Sequence, residues 1–204
     1  MNGGRVFLVD DDVAVLTALS RLLREAGFDV EAYQSPSEFL LNEDIETPGC
    51  AVLDVALGDR SGLDVQSALA NKGDTRPIIF ITGKGDIATS VQAMKAGAVD
   101  FLTKPVLEEN LIAAVRNALE RDRLAREEGA RLESVAERLA SLTPREHEVL
   151  ASVVAGRLNK QIAAELKIAE KTVKVHRARV MAKMAVRSVA ELVRVVQRTL
   201  TNEK

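Results

Sequence analysis

Up to about residue 120, the chain alternates short apolar runs of strand type with longer amphipathic stretches. No other feature constrains the fold as much. The runs are VFLV (6–9), DVEAY (29–33), CAVLD (50–54), PIIFIT (77–82) and VDFL (99–102). The helical patterns between and after them are AVLTALSRLLREAG, PSEFLLNE, GLDVQSALANKG, IATSVQAMKAGA and LEENLIAAVRNALERDRLA. Gly27 and Gly97 stand where helix C-terminal caps belong. Five strands, each followed by a helix, predict an α/β domain with a five-stranded, doubly wound parallel sheet. The first and fourth runs are almost wholly apolar, as central strands covered on both faces should be.

From about 120 to 141 the composition changes. ERDRLAREEGARLESVAERLAS is dense in charge of both signs, with Leu124, Leu132, Val135 and Leu139 as sparse apolar positions. It reads as a helical linker interrupted or hinged at Gly129. Four short helices are predicted beyond it, over 144–155, 159–166, 170–184 and 188–200. SLTPREHEVL marks a helix start, with Thr143 as N-cap, Pro144 at the first helical position and Glu146 closing a capping box. The expected plan is an α/β domain over 1–120, a helical linker over 121–141 and a small all-α four-helix domain over 142–204.

Charge separates the same two regions. Residues 1–141 carry 15 Lys and Arg against 24 Asp and Glu, whereas residues 142–204 carry 13 against 6. An acidic front and a basic back imply different partners, the back being the nucleic-acid candidate. Hydrophobic residues make up 47% of the chain, enough to fill the cores of a soluble protein. No apolar run nears the ~20 residues that span a bilayer, and MNGGRVFLVDD lacks the form of a signal peptide, so no membrane association is expected. A single cysteine, Cys50, forms no internal disulfide and suits a reducing cytoplasm. It opens an apolar run with no His nearby, which reads as buried filler rather than a nucleophile.

The first run stops on three carboxylates, Asp10, Asp11 and Asp12. Crowding negative charge at a strand end is unfavourable unless a cation sits there. In an open α/β sheet, ligands bind beyond the carboxyl ends of the strands. Other strand ends bring Asp54, Thr82 (followed by GKGD) and Lys104 in TKP to that side. Several carboxylates at one point form a hard-oxygen donor set suited to Mg²⁺, with Lys104 assisting. A lone Asp at a strand end is more often a cap or turn residue. That role is assigned to Asp12, and Asp59, Asp64, Asp86 and Asp100 are read as caps or surface groups.

LVDDD, VLDV, FITGKGD and DFLTKP, in this order and spacing, resemble the flavodoxin-like receiver domain of bacterial two-component response regulators over residues 4–120. The resemblance implies that Asp54 accepts a phosphoryl group from a cognate sensor histidine kinase. It implies that Asp11, Asp54 and the backbone carbonyl of Ala56 coordinate Mg²⁺, with Asp10 acting through water. Thr82 would hydrogen-bond the new phosphoryl oxygens, Lys104 would pair with them, and Phe101 would be a switch aromatic whose rotamer follows Thr82. By residue type alone, an aromatic in a β-run is core more often than switch. The bond before Pro105 is usually cis in that family. Two departures stand out: Gly58 where the family commonly has Pro, and Lys84 where another residue is frequent. The chemistry is sound without the family, because a carboxylate attacks a dianionic phosphoryl group only when charge is screened.

KTVKVHRARVMAK (171–183) holds five basic residues and no acidic one. On a helix, Val173, Val180 and Met184 form an inward stripe, while Lys171, Lys174 and Arg177, at three-residue steps, are expected on an outer face. Arg179 adds to that basic character. Such a helix fits a DNA major groove, and with the preceding NKQIAAELKI it makes a helix-turn-helix. The stretch from LTPREHEVL to VMAKM resembles the LuxR-type DNA-binding domain over residues 140–200. The whole chain is similar to FixJ/NarL response regulators, nearest the FixJ branch. That implies Lys174, Val175 and His176 facing the groove, with Thr172 and Lys160 at phosphates. Lys167 and Ala169 replace the usual Gly and Ser or Thr of the turn, and Ala185 replaces a Gly after the recognition helix.

These readings converge on a phosphorylation-controlled regulator of transcription. The resemblance implies that phosphorylation reshapes the face of helix four (86–96), strand five and helix five, which in such families releases or dimerises the regulator. A phosphorylated homodimer would then engage double-stranded promoter DNA, with RNA polymerase a further candidate partner. Two rivals differ in class. A Mg²⁺-dependent phosphohydrolase would place an acid two residues after Asp54, where Ala56 stands. An FMN carrier would need a hydroxyl- and Gly-rich loop after the first strand, where aspartates repel phosphate.

Overall fold

The computed structural model describes residues 3–42, 44, 46–58, 60–83 and 87–202. The chain divides into two compact units, Met1–Arg126 and Glu127–Lys204. The first unit contains β1 (Gly3–Val9), α1 (Val13–Glu25), β2 (Phe28–Tyr33), α2 (Pro36–Asn42), β3 (Cys50–Asp54), β4 (Ala56–Leu57), β5 (Arg60–Ser61), α3 (Gly62–Asn71), β6 (Ile78–Thr82), α4 (Ile87–Lys95) and β7 (Asp100–Thr103). It also contains the start of α5 (Glu108–Ala140). Strands β2-β1-β3-β6-β7 form one sheet in that order, every pair parallel. This is the five-stranded doubly wound sheet that the alternating pattern predicts.

Side-chain alternation along each strand separates two apolar layers. Val6 and Leu8 of β1, Val52 of β3 and Ile79 and Ile81 of β6 meet Leu16, Leu19 and Leu23 of α1 and Leu111 and Val115 of α5. Phe7, Val9, Leu53 and Phe80 point the other way, onto Phe39 of α2, Val65 and Leu69 of α3 and Ala93 of α4. Cys50 is wholly buried, and burial pushes its thiol up to about 12, so it packs as filler.

Two findings depart from the sequence reading. The β4–β5 pair is an antiparallel ribbon, with Ala56 opposite Ser61 and Leu57 opposite Arg60. Gly58 follows Leu57 with φ +67°, a left-handed conformation that the ring of a proline forbids. This loop therefore takes a different course from one built on Pro. The second finding is that α5 runs unbroken for 33 residues through Gly129. One glycine costs about 1 kcal/mol relative to Ala. Its neighbours AREE and ARLE are strong helix formers that offset it.

The second unit holds the rest of α5 with α6 (Pro144–Val154), α7 (Asn159–Leu166), α8 (Glu170–Lys183) and α9 (Val189–Asn202). Its core gathers Val149 and Val153 of α6, Ile162 of α7, Val173 and Val180 of α8, Met184 and Leu192. Val135 of α5 is 7% exposed and belongs to this core, with Leu139 packed beside it. The capping box forms as predicted: Thr143 Oγ1 accepts from Glu146 N at 3.3 Å, and Glu146 accepts from Thr143 N at 2.9 Å. Lys183 Nζ of α8 lies 2.7 Å from Glu146 Oε2 and 2.8 Å from the Ser141 carbonyl. Among the described residues, no helix is long and apolar enough to cross a membrane.

Candidate functional site

Sheet register assembles the acidic site. Val9 pairs with Leu53, so Asp10 and Asp54, one residue further on, stand level at the ends of adjacent strands. The crossover from β1 to β2 goes one way and that from β2 to β3 returns past β1, so a crevice opens beyond the ends of β1 and β3. Asp10, Asp11 and Asp54 meet there, with one carboxylate oxygen of each within 4.8 Å of the others. Asp10 and Asp54 are buried and Asp11 is exposed. Asp12 turns away, N-capping α1 through bonds from Ala14 N and Val15 N.

Lys104 reaches the same point from the far side. Its backbone N donates to the Thr82 carbonyl at 2.7 Å, and the Lys104–Pro105 bond is cis. Its Nζ lies 2.7 Å from Asp10 Oδ2 and 2.7 Å from Asp54 Oδ2. Burial pushes the Asp10 carboxyl above its usual range, against the opposing bonds from Lys104 and from Asp12 N. Burial also works against the Lys104 ammonium, but its bonds to Asp10 and Asp54 outweigh this and raise its pKa. The Ala56 amide donates to Asp54 Oδ1 at 3.1 Å. Thr82 is buried at the end of β6. Phe101 is half-buried, its ring centroid 6.4 Å from that of Phe80. Lys84 and Asp86 lie outside the described residues, as does Asp59. Asp64 closes a capping box with Ser61, and Asp100 Oδ1 accepts from Phe101 N.

The donor set fits a hard divalent cation. Among the described residues, three carboxylates face a single ammonium there, which leaves surplus negative charge around oxygen ligands. Packing holds this cluster in place. A Cβ on Gly62 would sit 2.4 Å from the Asp54 carbonyl and 2.9 Å from Phe80 Cε1, so α3 begins against β3 only because residue 62 has no side chain.

Two ion pairs, one buried and one half-buried, escaped the sequence reading. Arg76 pairs with Asp74 at 2.6 Å, and its guanidinium carbon lies 4.5 Å from the centroid of Phe7. Asp122 accepts from Gly49 N, while Arg126 binds Asp122 and the carbonyls of Glu46 and Thr47. Asp122 is 6% exposed within a stretch whose charges read as solvated. An Asp–Arg pair one helical turn apart was the available signal. Its partner loop, 73 residues away at Gly49, was not.

In the helical unit, Lys160, Lys171, Thr172, Lys174 and Arg179 are exposed, and Val175 is 45% exposed. Glu170 lies 3.8 Å from Lys174 in an exposed pair of little strength. His176 is half-buried, its Nδ1 shut from solvent and, among the described residues, without a hydrogen-bond partner. Arg177 differs from expectation. It is half-buried and its Nη1 donates to Asn159 Oδ1 of α7 at 2.6 Å. Three-residue steps on a 3.6-residue helix drift by about 60° each, which carries Arg177 from the open face towards the Val173–Val180 stripe. In the turn, Lys167 has φ +53° and Ala169 caps α8 without a side-chain bond. Ala185 also has φ +53°.

Residues 6–116 match the response regulator receiver domain, and residues 140–196 match the bacterial regulatory proteins of the luxR family. The response regulator protein TodT of Pseudomonas putida is 49% identical over 193 residues, covering 95% of this chain and 85% of TodT. The transcriptional regulatory protein FixJ of Bradyrhizobium diazoefficiens is 38% identical over 195 residues, covering 96% of this chain and 95% of FixJ. A low-resolution structure of the response regulator StyR superposes with a TM-score of 0.86 at 46% identity, covering 96% of this chain and 99% of StyR.

Proposed function

We propose, on the premise that this chain belongs to the FixJ/NarL-type response regulators and is a phosphorylation-controlled transcription regulator, that Asp54 is its phosphoacceptor. The observation that carries this reading is the meeting of Asp10, Asp11 and Asp54 at the sheet's switch point, with the Lys104 ammonium bonded to two of them.

In the proposed step an Asp54 carboxylate oxygen attacks the phosphorus of a phosphohistidine on a sensor kinase. The P–N bond breaks and its electron pair leaves on the imidazole nitrogen, giving an acyl phosphate on Asp54. Asp10, Asp11, Asp54 and the Ala56 carbonyl would hold Mg²⁺, which when bound supplies charge neutralisation at the transferring group. Lys104, raised in pKa and therefore protonated, pairs with the incoming phosphoryl oxygens as it does now with Asp54. Thr82 donates its hydroxyl to them. Phe101, half-buried against Phe80, follows Thr82.

The output is DNA binding by α8, with Lys171, Lys174, Val175 and Arg179 towards the major groove and Lys160 and Thr172 at phosphates. His176, half-buried on the same helix, remains a groove candidate. Phosphorylation reshapes the face of α4, β7 and α5, on which Val91 and Met94 are each 46% exposed, and a homodimer forms there. Two DNA-binding units then engage a two-fold promoter site, gaining affinity through effective concentration. RNA polymerase is the further partner, and the cytoplasm the place of work. Ala56, two residues beyond Asp54, has no proton to give, which favours a regulator over a turnover phosphohydrolase.

The test is intact mass after incubation with acetyl phosphate and Mg²⁺. Wild-type protein gains one phosphoryl group that maps to Asp54, and Asp54→Asn gains none and does not dimerise. A phosphoryl group on another side chain, or dimerisation of the variant on addition of acetyl phosphate, overturns the reading.

A further inference from the structure

The turn of the helix-turn-helix is poorly equipped to fix the angle between its helices. Lys167 bears a side chain in the left-handed region, and α8 starts without a side-chain cap at Ala169. Polar ties at both ends of α7 supply what the turn lacks. At its C-terminus, Arg145 Nη2 of α6 donates to the Leu166 carbonyl at 2.7 Å. At its N-terminus, Arg177 Nη1 of α8 donates to Asn159 Oδ1 at 2.6 Å. Between them Ile162 and Val173 are fully buried, an apolar contact that resists separation but is indifferent to rotation.

We infer that Arg177 is a positioning residue for DNA recognition: its bond to Asn159 sets the presentation of α8, and its charge is not spent on a phosphate or a base. Asn159 carries the same function from the other helix. Both are half-buried at the contact, where a short bond to a charged donor is worth more than at an open surface. The inference rests on α8 being the recognition helix.

A phosphate ligand and a positioning residue leave different marks on salt dependence and on additivity. Each lost phosphate contact lowers the slope of log affinity against log salt by about one, and a lost tie leaves the slope alone. The experiment uses the full-length phosphorylated protein and a DNA site selected from random sequence. Affinity for that site and for unrelated DNA is measured across salt concentrations, for wild type, Asn159→Ala, Arg177→Gln, the double variant, Asn159→Asp and Lys174→Ala. Asn159→Ala and Arg177→Gln should each cut the ratio of specific to non-specific affinity about tenfold, with wild-type salt slopes, and the double variant should lose no more than either single. Asn159→Asp keeps the acceptor and should hold the ratio within about twofold, even though its added charge weakens all binding. Rescue of that kind also excludes simple unfolding. The inference is overturned if Arg177→Gln lowers the slope by about one while Asn159→Ala binds like wild type, or if the two losses multiply. If Lys174→Ala changes neither slope nor affinity, the recognition-helix reading falls, a result separable from those two, and the inference falls with it.

Discussion

Gly62 shows how closely the site is built around single atoms. The 2.4 Å from its hypothetical Cβ to the Asp54 carbonyl is closer than a real Cβ comes to an oxygen, and that carbonyl belongs to the proposed phosphoacceptor itself. Gly62→Ala should therefore cost about 1–3 kcal/mol in urea unfolding, as overpacking does. It should also slow the gain of phosphoryl mass by displacing β3 relative to Lys104. That Asp10, Asp11, Asp54 and Lys104 would meet was legible in the sequence because each ends or follows an apolar run, where parallel sheets bring distant residues together. Gly62 was not legible, since a glycine at a helix start is ordinary until the strand behind it is in view. The buried Arg76 was illegible for the same reason: its ring partners Phe7 and Phe39 lie far off in the chain.

Among elements, the α7–α8 turn and the start of α6 carry opposite lessons. Lys167 and Ala185 sit at φ +53°, which costs a residue with a side chain about 1 kcal/mol or more that glycine avoids. Lys167→Gly, Ala185→Gly and Ala169→Ser should each raise the stability of the helical unit by about 1 kcal/mol, read as a higher urea midpoint. The α6 cap is well made. Its Glu146 carboxyl is held down at about 2 from its usual 4.5, by Lys183 first and by the Thr143 amide next. A depressed folded-state pKa gives stability that is complete above 4.5 and drains away as the pH falls towards about 2. The urea midpoint of wild type should thus fall between about pH 6 and about pH 3, and Glu146→Gln should flatten that part of the fall. The Thr–Pro–x–Glu signature announced this cap because capping is local. The unbroken course of α5 through Gly129 and the inward turn of Arg177 depend on summed propensity and helical phase, which a residue-by-residue reading blurs.

For the molecule as a whole, charge frames the regulation. The acidic unit should take up a phosphoryl group only with a divalent cation present. EDTA should prevent the mass gain from acetyl phosphate, and excess Mg²⁺ should restore it, because the clustered carboxylates of Asp10, Asp11 and Asp54 repel a dianionic donor. The division into an α/β front and a helical back was plain from composition. The edge between them was harder to see, since sparse Leu and Val among dense charges resemble a solvated spacer until their burial is known. Val135 bears on any attempt to dissect the protein. A gene fragment opened at codon 142 would encode a helical unit missing the valine and leucine that roof its core. Such a fragment would be soft, and its weak grip on a promoter could be mistaken for the absence of phosphorylation. Opening the reading frame at codon 127 instead would carry the roof along and make the severed half a fair witness.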